Sequence, residues 1–129
     1  MGRKTSTAMV YQLRGKPCTF GIIQWANDRL ETRNVGLVGI CDTGYMIRML
    51  EPTEAPVPNE QIKVYKQWAD YWPALAVRTE LKQLQATMYE KGKDVCSVAK
   101  WTNIIDERSK TLDAAFEHMW IDYVKARHA

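Results

Sequence analysis

The sequence predicts an α+β fold, with a small antiparallel sheet in the N-terminal half packed on three or four helices that include a C-terminal helical hairpin. Three observations carry this expectation. Residues 8–50 hold short runs of β-branched and aromatic residues separated by turn signals. Pro52, Pro56 and Pro58 then interrupt any regular element. From residue 59 onward, apolar residues recur at spacings of three and four, which places them along one side of a helix.

Within the first half, Ala8 to Leu13 reads as a short strand and Arg14-Gly15-Lys16-Pro17 as a turn. Cys18 to Trp25 reads as a second strand, because Thr, Ile, Phe and Trp suit a pleated, half-covered surface. Ala26-Asn27-Asp28 turns the chain, and Leu30 to Arg33 fits an exposed edge strand or one helical turn. Val35 to Cys41 and Tyr45 to Leu50 flank Asp42-Thr43-Gly44, so they read as a hairpin. The first of these two runs is almost wholly apolar, which predicts an interior strand covered on both faces. Gly36 and Gly39 within it mark a bulge or a close backbone approach.

Residues 51–59 read as an extended connector that is too short to separate independent domains, so one domain is expected over 1–129. Asn59 is placed to cap a helix from Glu60, with Ile62, Tyr65, Ala69 and Trp72 as its apolar stripe. Pro73 ends or kinks that helix, or starts the next. Val77, Leu81, Leu84 and Met88 continue the pattern to Lys91-Gly92, and Asp94 is set to cap a further helix, which predicts a helical hairpin about Gly92. Val98, Trp101 and Ile105, then Leu112, Phe116, Met119 and Tyr123, extend helical spacing to Arg127, with a break between Asp106 and Ser109 as the alternative to one long helix.

Composition excludes several classes. With 129 residues, 46% of them hydrophobic and 26% charged, the chain has enough apolar material for a core without disulfide staples. Three cysteines, Cys18, Cys41 and Cys96, make no framework and no CxxC, so reduced buried thiols and a cytoplasmic setting are expected. No cofactor and no metal are expected, since His118 and His128 are the only histidines. No apolar segment follows the basic start, and no run is long enough to span a membrane. Gly2 followed by Ser6 loosely fits a myristoylation start, but a solvated, disordered N-terminus is the reading adopted.

Asp42-Thr43-Gly44 after an apolar strand resembles the active-site loop of retroviral-type aspartic proteases, where paired carboxylates share a proton. The resemblance covers Ile40 to Gly44 only. Tyr45 stands where that family has a small residue, and the helical second half is foreign to that fold. Asp-Thr-Gly is therefore read as a hairpin turn.

Three functions remain. The first is a non-enzymatic interaction protein of inhibitor or adaptor type, of a kind found in viruses and mobile elements, acting on another macromolecule or by self-association. Five tryptophans and six tyrosines either make a heavy core or leave area for a partner. Trp68 and Tyr71, which fall off the apolar stripe, are either buried between sheet and helical hairpin or meet a partner, burial being the first reading. Trp25, Trp68 and Tyr71 are the expected partner-binding residues. The second is a nucleic-acid-binding module on the basic N-terminal half, where residues 1–50 carry seven Lys/Arg against three Asp/Glu, with Arg14, Lys16 and Arg33 as phosphate contacts. The third is an enzyme assembled from distant residues, with Asp42, His118 and Asp122 as first candidates. No residue pattern names a small-molecule ligand.

Overall fold

A computed structural model describes residues 3–6, 18–26, 31–104 and 111–125. It is an α+β protein built on a five-stranded antiparallel sheet, with the strands in the order β1-β4-β3-β2-β5. The strands are β1 (Arg3–Ser6), β2 (Cys18–Ala26), β3 (Thr32–Ile40), β4 (Tyr45–Leu50) and β5 (Cys96–Ile104). The helices are α1 (Ile62–Val77), α2 (Leu84–Lys91) and α3 (Leu112–Trp120), and α3 runs on into a π-helical turn, Ile121–Lys125.

Helices cover the sheet on both sides. Ile23, Trp25, Val38, Ile47 and Met49 point to one face and meet Tyr65, Ala69 and Trp72 of α1 with Leu84 and Met88 of α2. Phe20, Ile22, Leu37, Met46 and Leu50 point to the other and meet Leu112, Phe116 and Trp120 of α3. The period-2 alternation of β2 and β4 divides the two sets. As its apolar run predicts, β3 is interior and buried on both faces from Val35 to Gly39. A bulge at Val35 shifts its register against β2, since Ile23 pairs with Gly36 but Gln24 pairs with Asn34. A Cβ on Gly39 would come within 2.6 Å of the Phe20 ring, so this glycine lets the aromatic lie flat across the strand.

The hairpin at Asp42-Thr43 forms as expected: Cys41 donates to the Gly44 carbonyl at 2.9 Å and Ile40 pairs with Tyr45. Tyr65 fastens α1 to the sheet by donating its hydroxyl to the Leu50 carbonyl at 2.6 Å.

Several expectations are corrected. The N-terminal Arg3–Ser6 is a strand paired with β4, because β4 would otherwise leave a row of backbone groups open. Residues 51–57 are folded rather than extended, with Glu54 and Ala55 both donating to the Glu51 carbonyl. Asn59 does not cap a helix through its side chain; it opens a short 3-10 turn that leads into α1. Pro73 lies inside α1, and the chain leaves the helix at Arg78, so Val77 is exposed rather than part of a buried stripe. The largest correction is β5. Where helix was expected from Asp94 onward, Cys96–Ile104 pairs along β2, so the partner of α2 across Gly92 is a strand. The helical pair at the C-terminal end is α3 with its π turn, and its N-cap is Thr111, whose hydroxyl accepts from the Ala114 amide at 3.2 Å. The strand expected at Ala8–Leu13, the turns at residues 14–17 and 27–28, and the break at 106–109 lie outside the described residues.

Candidate docking groove

Trp72 anchors an aromatic cluster. It is fully buried and donates its indole N–H to the Cys96 sulfur at 3.4 Å, which ties α1 to β5. Trp68 and Tyr71, one turn and one residue before it, lean on its ring from outside with centroids 5.4 and 5.3 Å away. They meet each other edge-to-face at 5.4 Å. This geometry braces both rings against Trp72 while leaving each partly exposed, so a partner would meet aromatic surface already positioned.

The opposite wall comes from the end of α2 and the turn after it. Lys93 and Cys96 exchange backbone hydrogen bonds at 2.8 and 3.0 Å, closing a tight turn before β5. Lys91 and Lys93 thereby flank Gln67, Trp68 and Tyr71 across a groove of about 440 Å³. Both lysines are exposed, and among the described residues neither makes an ion pair. Arg78 adds a third cation, its guanidinium 5.9 Å from the Tyr71 ring centre. Among the described residues no carboxylate lines the groove. Its chemistry therefore suits an anionic group beside an apolar one.

A second, shallower groove of about 600 Å³ runs along the exposed side of α2, lined by Lys82, Gln85, Ala86, Tyr89, Glu90 and Trp101. Tyr89 is 67% exposed there. Its position off the Leu84–Met88 stripe was the available sequence signal for that exposure. Here Lys82 and Glu90 carry opposite charges, so this surface lacks the bias of the first.

The residues singled out in the sequence separate clearly. Trp68 and Tyr71 come together in the groove. Trp25 does not join them: it is buried, donates to the Gln61 side chain at 3.2 Å and stands edge-on to Tyr65 at 5.7 Å, so it offers a partner no surface. Arg33 is exposed, but Glu31 lies 3.4 Å from its guanidinium and compensates its charge. Arg14 and Lys16 lie outside the described residues. Asp42 is exposed on the β3–β4 turn, whereas His118 and Asp122 sit on α3 and its π turn. Among the described residues no group of three or more His, Cys, Asp and Glu is placed to hold a metal ion, and no helix is long and apolar enough to cross a membrane.

Fold and site together define an α+β protein that displays a lysine-rimmed aromatic groove. Comparison with family models, with characterised proteins and with solved structures finds no match to this chain.

Proposed function

We propose that this protein is a non-enzymatic interaction protein that docks another protein in the groove between α1 and the α2–β5 turn, receiving an acidic segment with an apolar side chain. The observation that carries the reading is the juxtaposition of two pre-positioned aromatic rings with two lysines that have no ion-pair partner among the described residues. Trp and Tyr are among the residue types that dominate binding energy at protein interfaces, and exposed lysines at the rim add charge selectivity. A nucleic-acid partner would need a longer basic track. Residues 59–94 carry six Lys/Arg against five Asp/Glu, so the surface around the groove is close to neutral and cannot follow a phosphate chain.

The test is capture of the partner from the source cell, purification of that partner, and measurement of its affinity for wild type, Trp68→Ala and Lys91→Glu/Lys93→Glu. Each variant is expected to weaken binding at least about tenfold, the change that roughly 1.4 kcal/mol produces, while Tyr89→Ala leaves it unchanged. Equal affinity for all forms, or a captured species that is nucleic acid, would overturn the proposal.

A further inference from the structure

A second site lies on the α3 side of the sheet, at the end of β2 and β3. Thr19 of β2 pairs with Ile40 of β3, so one step further along the register sets Cys18 opposite Cys41. The hydrogen bonds fix what kind of pair this is. Cys41 sends its amide to Gly44, on the β4 side, which turns its backbone polar groups away from β2. Ala26, an even number of residues beyond Cys18 on a strand that itself carries no extra residue, sends its amide to Val95, on the β5 side. Cys18 therefore turns its polar groups away from β3. Both strands give the same answer: Cys18 and Cys41 oppose each other at a non-hydrogen-bonded position.

That position brings antiparallel chains closest, with Cα atoms about 4.5 Å apart and side chains on the same face. A disulfide requires Cα atoms roughly 4.4–6.8 Å apart. Both thiols are free, and both belong to the apolar cluster that also holds Phe20 and Phe116. Cys96 belongs to the cluster on the opposite face and cannot reach them. Burial, with the neighbouring Cys41 as the next cause, pushes the Cys18 thiol up to about 12.

We propose that Cys18 and Cys41 form a cross-strand dithiol site that closes reversibly to an intrachain disulfide on reaction with a low-molecular-weight disulfide such as oxidised glutathione. Cys41 reacts first, because it borders the exposed Asp42-Thr43 turn and is 6% exposed against 1% for Cys18. Its thiolate attacks one sulfur of the oxidant, forms a mixed disulfide and releases one glutathione thiolate. Cys18 then gives its proton to solvent and attacks the Cys41 sulfur, expelling the second glutathione. The protein loses two electrons and two protons, and one oxidised glutathione becomes two reduced ones. The second step is the slow one, since Cys18 holds its proton tightly, and its rate rises about tenfold per pH unit below the pKa of that thiol.

The experiment uses the full chain, folded, in oxidised glutathione at pH 8, followed by acid quench, unfolding, alkylation and mass analysis. Free thiols are expected to fall from three to one, with loss of two hydrogens, no retained glutathione, a Cys18–Cys41 peptide link and full reversal by dithiothreitol. Cys96→Ser is expected to form the same link and Cys41→Ser none. A stable glutathione adduct, a link to Cys96, disulfide-joined dimers or three thiols still alkylatable would each overturn the proposal, and the wild-type result decides it even if a variant fails to fold.

Discussion

On the α3 face of the sheet a cation is enclosed by aromatic rings, whereas on the α1 face two rings, Trp68 and Tyr71, are only partly covered and cations stand beside them. Arg48 of β4 places its guanidinium 5.5 Å from the Phe116 ring centre and 5.1 Å from that of Trp120, and it pairs with Glu117. Only 13% of that side chain is exposed. Its charge and the ring faces satisfy one another inside the protein. Trp68 and Tyr71 are partly buried against the core, and among the described residues Lys91 and Lys93 have no carboxylate partner. The same residue types therefore serve cohesion in one place and display in the other. What separates them is the availability of a carboxylate and the closure of the layer above.

This contrast is broken most severely by removing the rings that lie inside. Trp72→Ala and Trp120→Ala should each cost about 3–5 kcal/mol of stability in urea unfolding, while Trp68→Ala should cost only about 1–2. Comparable losses for Trp68 and Trp72 would mean that the exposed ring is structural after all.

Alkaline pH tests the burial on both faces together. Burial raises the Cys18 thiol to about 12 and the Cys96 thiol from 9.0 to about 11, and it raises the Tyr65 hydroxyl above its ordinary 10.0. Between pH 9 and these raised values the unfolded chain has released protons that the folded chain still holds. Stability should therefore be level up to about pH 9 and fall above it, by about 1.4 kcal/mol per pH unit for each group deprotonated on unfolding. Urea midpoints at pH 8, 9 and 10.5 measure this. Two of the three groups, Cys96 and Tyr65, are on the α1 face, so Cys96→Ala should flatten the profile and Cys18→Ala should flatten it independently.

Smaller effects sharpen the contrast between cations. Arg48→Ala should lose about 2 kcal/mol through its ring contacts and ion pair, whereas Arg78→Ala, an exposed cation over one ring, should change stability by less than about 0.5 kcal/mol. Smallest of all is Lys91→Glu/Lys93→Glu, which should leave the urea midpoint within about 0.5 kcal/mol of wild type while weakening the proposed docking at least about tenfold. A large stability loss there would show that the lysines hold the turn rather than a partner.

Much of this arrangement was legible before any coordinates. Cys18–Trp25, Val35–Cys41 and Tyr45–Leu50 declared themselves through β-branched alternation, and Ile62, Tyr65, Ala69 and Trp72 through helical spacing. Trp68 and Tyr71 could be picked out because they leave that stripe. β5 was hidden by its own irregularity. Lys100 has φ of 54° and, with Trp101, opposes the single Gly21 of β2. This bulge brings Trp101 onto the face already held by Cys96 and Val98. The apolar positions 98, 101 and 105 then imitate a helix, and only pairing with a distant strand resolves the ambiguity. Lys91 and Lys93 could not be found from pattern at all, because their meaning depends on how α2 is laid against α1.

The bulge at Lys100 also gives β5 a place to lose a residue. One residue fewer there would straighten the strand without shifting its register, since Ala99 would still oppose Ile22, Thr102 would still oppose Phe20, and Asn103 would still receive the Thr19 hydroxyl. A deletion at this point thus keeps every residue from Thr102 on its own side of the sheet, whereas one nearer Cys96 would carry its neighbours to the other.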